Sequence, residues 1–254
     1  MFVLKERRDA IYQFIAAKGE VTISELVEEF SSWSEMTIRR DLAFLEQAGR
    51  LILTRGGARI LPGRFGLTED IYSERERRNY GEKQQLATKA AALVEPGKSI
   101  YIDAGTTAMA LARALPDCHL VVVTGASNIA LEIARSKELP SVVQLGGTLN
   151  RKTMAVGDPD IAKQLESINI DTAFVAASGF DEKAGFSVGS QLDALGKRAV
   201  ISRARRVVMM LDSSKCGVIL PFTFAGLSDV DLLVLDDQFP EDLRARIASQ
   251  VTLV

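Results

Sequence analysis

The segment Asp103-Ala-Gly-Thr-Thr107 stands where an apolar run, residues 99–103, gives way to a helical pattern. A glycine there permits a tight strand-to-helix turn, and the unpaired N–H groups of a helix start attract an anion. Asp103 adds a carboxylate able to accept from hydroxyl groups, and Thr106 and Thr107 add hydroxyl donors beside Gly105. This chemistry suits the holding of a phosphate or a carboxylate. No lysine follows the glycine in P-loop spacing and no G-x-G-x-x-G occurs, so neither nucleotide signature is present. Other apolar runs end in the same way, in Thr124-Gly125, in Gly146-Gly147 with Arg151 and Lys152 close behind, in Ser178-Gly-Phe-Asp181 and in Asp212-Ser-Ser-Lys215. Together these ends predict one shared pocket for a polyhydroxylated anionic small molecule, with carboxylates taking its hydroxyls and cations its phosphate.

A second set lies near the start of the chain. Read as a helix, Ser34-Glu-Met-Thr-Ile-Arg-Arg-Asp-Leu42 has one apolar side, with Ile38, Leu42 and Leu45 at i, i+4 and i+7. Met36, Arg40 and Ala43 point the opposite way, Thr37 and Arg39 lie on the flanks, and Ser34 is placed to cap the helix start. Arginines beside small hydroxylic side chains suit a DNA major groove, where arginine pairs with guanine edges or phosphate and hydroxyls with phosphate oxygens. A solvated surface helix has the same composition, so the neighbouring elements decide.

Those neighbours are two helices before it and a hairpin after it. Leu4, Arg8, Ile11 and Ile15 mark one face of a first helix, stopped by Gly19. Thr22-Ile-Ser-Glu25 fits a capping box, and Ile23, Leu26, Val27 and Phe30 continue as a second helix. Gly49 ends the third. Residues 51–60 read as two short strands around Gly56-Gly57, with Arg55 and Arg59 placed for phosphate or minor-groove contact. Three helices and a two-stranded wing predict a winged helix-turn-helix over residues 1–60. A turn-rich break follows at 61–66. Residues 61–95 then read as a linker and a mixed-charge, solvent-facing helix, with a helical stripe at Leu86, Ala90, Leu93 and Val94 leading into the second domain. From 96 to 254, strand runs at 99–103, 120–124, 142–145, 173–177, 207–211 and 232–235 alternate with helical patterns. That alternation predicts an α/β domain with a mainly parallel sheet covered on both faces, its ligand at the carboxyl ends of the strands.

Composition limits the alternatives. The chain has 254 residues, 47% apolar and 25% charged, with a net charge of −2 and a pI near 5.7. These values are ordinary for a soluble globular protein and leave room for a local basic face. No apolar run reaches membrane-spanning length and no leader pattern precedes Lys5, so a cytoplasmic protein without a membrane partner is expected. Cys118 and Cys216 are far apart and read as reduced thiols. With His119 the only histidine, and adjacent to Cys118, neither a nucleophilic triad nor a zinc site is expected, and no cofactor.

Thr37-Ile-Arg-Arg-Asp-Leu42, with Leu45-Glu46, Gly49 and Gly56-Gly57-Ala58, resembles the N-terminal signature of the DeoR family of bacterial transcriptional regulators. Asp103-Ala-Gly-Thr-Thr107, Leu145-Gly-Gly147, Gly157, Gly179, Gly189, Lys197 and Asp212-Ser-Ser-Lys215 resemble that family's C-terminal sensor domain. The resemblance implies a sensor fold similar to ribose-5-phosphate isomerase and a phosphorylated sugar or similar metabolite as effector. It places Asp103, Gly105, Thr106 and Thr107 on the phosphate side and Lys197 and Lys215 near the ligand. The sequence departs from the family pattern at Leu53 (often Arg), Arg55 (often His), Gly125 (commonly Asn) and Asp193 (commonly Glu). The expected function is a ligand-controlled regulator, a repressor acting on double-stranded operator DNA as a homodimer or higher homo-oligomer. The expected DNA contacts are Ser34, Met36, Thr37, Arg39, Arg40, Arg55, Gly56 and Arg59. Thr124, Gly147, Arg151, Asp181, Asp193, Lys197 and Lys215 join the cradle as the expected effector site. The alternative is a sugar-phosphate isomerase with an accessory N-terminal module, in which Asp193 or Asp181 would be the base and Lys197 the stabiliser of the enediolate.

Overall fold

The computed structural model describes residues 2–47, 51–59, 64–65 and 72–254. Gly49, Ile60 and most of the turn-rich break at 61–66 lie outside them, as does the side chain of Leu4. The chain divides into two compact units, Met1–Phe65 and Gly66–Val254.

The first unit runs α1 (Phe2–Lys18), β1 (Glu20–Thr22), α2 (Ile23–Glu29), α3 (Glu35–Gln47), β2 (Ile52–Thr54) and β3 (Gly57–Arg59), followed by a short β4 (Arg64–Phe65). Gly19 closes α1 in the left-handed region, at φ 80°, with its N–H on the Ile15 carbonyl at 2.8 Å. The capping box at Thr22 forms in both directions: Glu25 N donates to Thr22 Oγ1 at 3.2 Å, and Thr22 N donates to Glu25 Oε2 at 2.8 Å. Ile11, Ile15, Leu26, Ile38, Leu42 and Leu45 are fully buried in one core.

The wing differs from its sequence reading. It has three strands, because Glu20–Thr22 pairs with β3 on the side opposite β2. Gly57 is a strand residue rather than a turn residue, since a Cβ there would stand 1.9 Å from the Val21 carbonyl oxygen. Its missing side chain lets two backbones approach. The exposed turn belongs to Arg55 and Gly56.

The second unit begins with α4 (Tyr72–Arg77) and α5 (Tyr80–Ala91). Strand–helix units follow: β5 (Ser99–Ile102), α6 (Thr106–Ala114), β6 (Val121–Thr124), α7 (Ser127–Ser136) and β7 (Ser141–Gln144). A small β8 (Thr148–Leu149), β9 (Val156–Gly157) and α8 (Ile161–Leu165) precede β10 (Ile170–Ala176). Then come β11 (Gly179–Asp181), β12 (Gly185–Val188), α9 (Gln191–Arg203) and β13 (Ala204–Leu211). β14 (Val218–Ile219), β15 (Phe222–Ala225), β16 (Leu232–Leu235), α10 (Glu241–Ile247) and β17 (Thr252–Leu253) complete it. The main sheet has seven strands in the order β17-β16-β13-β10-β5-β6-β7, all its registered pairs parallel. β11, β12 and β15 form a separate antiparallel sheet that the sequence reading does not contain.

Strand alternation builds the two cores. Ile100 and Ile102, Phe174, Val208 and Met210, and Val234 enter the core shared with α5, α6 and α7. Tyr101, Ala173 and Val175, Met209 and Leu211, and Leu233 and Leu235 enter the core shared with α8 and α9. Within 61–95, the apolar stripe expected at Leu86, Ala90, Leu93 and Val94 packs into this core, so the helix faces solvent on its other sides only. Leu86, Ala87 and Ala90 of α5 are fully buried and α5 packs on α6, the small alanines allowing close approach. The mixed charge falls on the remaining faces, except for Lys83, which is buried.

Candidate functional site

In the first unit, Ile38, Leu42 and Leu45 turn inward, and this leaves Met36, Arg39 and Arg40 exposed on α3 with Thr37 half-buried. Ser34 caps the helix, its Oγ accepting from Thr37 N at 3.3 Å. Arg39 is engaged along the helix surface by Glu35, at 2.7 Å, whereas Arg40 has no ion-pair partner among the described residues. Arg55, Gly56 and Arg59 are exposed on the wing. The residue that sets the orientation of α3 is Asp41, a member of the basic motif to which the sequence reading assigns no role. It is fully buried, with Arg7 Nε at 2.5 Å and Arg8 Nε at 2.8 Å. Burial pushes its carboxyl up, and the bonds from Arg7 and Arg8 outweigh that and hold it below the usual carboxylate range. Arg7 also lies over Trp33 and Arg8 over the Phe44 ring, 3.7 Å from its centroid, so α1 clamps α3 by charge and by ring contact.

In the second unit, Asp103 continues the period-two pattern of β5, so it faces the same side of the sheet as Tyr101. There it meets α9, whose Asp193, Lys197 and Val200 sit at i, i+4 and i+7. Lys197, 3% exposed, makes a buried ion pair with Asp103, lies 3.5 Å from Asp193 Oδ1, and stands over the Phe224 ring. Asp103 Oδ2 also accepts from Ala176 N of the neighbouring strand at 2.9 Å. Burial first, then the charges of Asp103 and Asp193, push the Tyr101 phenol far above its ordinary range. Tyr101, Asp103, Asp193 and Lys197, with Gly125 and Leu192 among others, line a cavity at the carboxyl ends of the strands. It is a small cavity, partly open to solvent, with about 20 Å³ accessible to the centre of a water molecule.

A second polar cluster lies past the ends of β5, β10 and β13. Gly105, at φ 108°, starts α6, and Thr106 and Thr107 are buried beside it. Arg75 Nη2 donates to Ser178 Oγ at 3.4 Å, and Lys215 Nζ lies 3.7 Å from Asp212 Oδ2. Lys83 donates to the carbonyls of Arg75, at 2.6 Å, and of Arg78. Its burial brings it down to about 8, against the Asp212 carboxylate, which raises it. The sequence reading misses Arg75, Asn79, Lys83 and Tyr101. Only Tyr101 carries a local signal, its period-two relation to Asp103.

Of the predicted effector residues, Asp103, Asp193 and Lys197 share the cavity, and Gly105, Thr106, Thr107 and Lys215 belong to the second cluster. The rest have local roles. Thr124 Oγ1 accepts from Ala126 N at 3.1 Å, closing its own turn. Asp181 Oδ1 does the same for the N–H groups of Lys183 and Ala184, at 2.9 Å each. Gly147, at φ 135°, backs onto Gly157, and Arg151 is exposed. The strand-end residues expected to share one pocket therefore fall into a carboxylate–lysine cavity and a separate polar cluster.

Comparison with known proteins assigns both units. The DeoR-like helix-turn-helix domain matches residues 7–62, and the DeoR C terminal sensor domain matches residues 78–237. The chain belongs to the DeoR family. It is a DNA-binding transcriptional regulator, of a family of regulators rather than enzymes. It is 36% identical over 234 residues to the HTH-type transcriptional regulator YulB of Bacillus subtilis, covering 92% of this chain and 89% of that one. It is 32% identical over 232 residues to the HTH-type transcriptional repressor GlcR of the same organism, covering 91% and 88%. Among solved structures, ribose 5-phosphate isomerase A from Methanocaldococcus jannaschii superposes with a TM-score of 0.41 at 18% identity, over 54% of this chain and 55% of that one. In this DeoR-family chain, two departures from the family pattern, Gly125 and Asp193, both stand on the cavity wall. Gly125 leaves space beside the Tyr101 hydroxyl, 4.0 Å from where a Cβ would stand. No helix among the described residues is long and apolar enough to cross a membrane.

Proposed function

We propose that this regulator is a repressor of sugar or sugar-phosphate catabolism, that it binds operator DNA as at least a homodimer, and that a phosphorylated sugar or similar anionic metabolite controls it. One observation carries the effector reading: a buried carboxylate–lysine cavity stands at the carboxyl ends of parallel strands, beside a glycine-started helix whose first two residues are buried threonines. The carboxylates of Asp103 and Asp193 suit sugar hydroxyls, and the α6 start with Lys83 and Lys215 suits a phosphate. The cavity is narrow and its charged lining is already ion-paired, so a ligand that enters it has to displace the Asp103–Lys197 pairing or shift its walls. That supplies the difference in affinity between two states on which control depends. A single winged helix reads few base pairs, which favours paired copies on repeated half-sites.

For DNA, α3 presents Arg40 outward with Ser34, Met36, Thr37 and Arg39 around it, and the wing adds Arg55, Gly56 and Arg59. Arg40→Ala is expected to weaken operator binding by about 1–3 kcal/mol while leaving sugar-phosphate binding intact. Gel-shift titration over a range of salt checks this, and unchanged affinity and salt slope would remove α3 as the DNA reader.

For the effector, thermal-shift screening of sugar phosphates should find a stabilising compound, because a ligand that binds only the folded state raises the melting temperature. Its affinity should fall as pH rises above about 8, where Lys83 loses its proton among Asp212, Lys215, Arg75 and Glu82. The slope is at most about tenfold per pH unit for one linked proton. Stability of the free protein should move the other way. Lys83 titrates lower in the folded chain than the ordinary 10.5, so the unfolded chain holds the extra proton between those values and folding gains as pH rises through them. Calorimetric titration across pH 7 to 10 reads the first effect, and a flat profile would exclude Lys83 from the phosphate site.

A further inference from the structure

The segment from Tyr72 to Lys83 lies strapped across the carboxyl ends of three sheet strands. Tyr72 N donates to the Lys152 carbonyl at 2.8 Å, and Glu76 Oε1 lies 3.4 Å from Arg113 Nη2 on α6. Asn79 takes a left-handed conformation, at φ 50°, and its Nδ2 donates to Ser214 Oγ at 2.7 Å and to Asp212 Oδ1 at 3.3 Å beyond β13. Arg75 donates to Ser178 beyond β10, and Lys83 reaches back to the strap's carbonyls. No residue of α4 is buried, so this helix is held by polar bonds rather than by a core. Elements held in that way are the ones that open and close at low cost.

The guanidinium of Arg75 comes close to the start of α6. Its Nη2 lies 3.7 Å from where a Cβ on Gly105 would stand, which puts the cation directly beside the first residue of the helix start. Thr106 and Thr107 are 5% and 8% exposed, and neither hydroxyl has a hydrogen-bond partner among the described residues. Threonines this nearly buried ordinarily bond their hydroxyls to protein, so a pair that leaves them open beside free helix amides and a guanidinium points to an acceptor from solvent that completes them.

We propose that Arg75 is a ligand of the effector's anionic group and that the strap from Tyr72 to Lys83 is the element that reads occupancy. The inference rests on reading Gly105–Thr107 as the anion cradle. An anion seated there accepts from the α6 amides and the threonine hydroxyls, and it offers Arg75 charged oxygens beside the neutral Ser178 Oγ that now accepts from it at 3.4 Å. Occupancy therefore tightens α4 onto the strand ends. In the chain, α4 is the first helix after the DNA-binding unit, so its tightening fixes the point from which that unit's connection departs.

The test uses the full-length protein and inorganic phosphate, with binding read by calorimetry and the strap read by hydrogen exchange of the 72–83 amides. Phosphate should bind the wild type and slow exchange across the strap. Thr107→Val should weaken binding, and Arg75→Gln should weaken it about tenfold or more and abolish the slowing. Arg75→Lys keeps the charge without the fork and should fall between, which separates loss of a ligand from loss of folding. If Thr107→Val weakens binding while Arg75→Gln changes neither affinity nor strap exchange, the cradle stands and the strap proposal is overturned. If phosphate does not bind the wild type, both are overturned.

Discussion

Asp103→Ala should cost the second unit about 3–5 kcal/mol of stability. The sequence reading of Asp103 as a strand-end effector ligand predicts a different outcome, an intact protein that no longer responds to its effector. The structure changes that expectation because Asp103 has two structural partners. Removing its carboxylate takes from the Lys197 ammonium, 3% exposed, its closest charge partner, leaving Asp193 at 3.5 Å and the Phe224 ring face nearby. It also deprives the Ala176 N–H of its acceptor. An uncompensated buried charge costs more than the pair contributes, so removing both charges should be milder. Asp103→Asn combined with Lys197→Met is expected to recover most of the loss while remaining unresponsive to effector. Urea denaturation of the three proteins measures this, and a loss below about 1 kcal/mol for Asp103→Ala would show that Lys197 finds water or another partner.

Asp41→Ala should lower the stability of the DNA-binding unit by about 2–3 kcal/mol and weaken operator binding with every DNA-facing side chain still in place. The figure is below that for Asp103 because Arg7 and Arg8 are 15% and 21% exposed and can turn to solvent once the carboxylate is gone. The loss of affinity follows from orientation. Asp41 ties α3 to α1, and without it the helix carrying Arg40 keeps its apolar stripe and the Arg8–Phe44 ring contact but loses the ion pairs that fix its rotation. The single tryptophan, Trp33, lies 5.6 Å from the Arg7 guanidinium, so its fluorescence reports unfolding of this unit alone. Because the Asp41 pKa is lowered in the fold, its contribution is present above the ordinary aspartate range and disappears as pH falls through the folded value. Convergence of wild type and Asp41→Ala in acid is thus part of the expected result. A variant that binds operator as tightly as wild type would show that the apolar stripe suffices.

Features carried by short sequence separations were legible before any coordinates. The capping box at Thr22, the Gly19 stop, the stripe of Ile38, Leu42 and Leu45, and the alternation of strand runs with helical patterns each rest on residues a few positions apart. Propensity and periodicity act at that range. They were enough for a winged helix ahead of a parallel α/β domain, and for Asp103 to Thr107 at a strand end. Everything that depended on strand register or helix packing was not legible. Asp103 and Lys197 are 94 positions apart, and Arg75 and Ser178 are 103 apart. Asp41 reads as one more charge in a basic motif until α1 delivers Arg7 and Arg8 to it. Gly57 reads as a turn residue until β1 passes against its backbone. No local pattern encodes which distant groups a sheet order brings together, so only the tertiary structure could divide one expected pocket into an ion-paired cavity and a separate polar cluster at the start of α6.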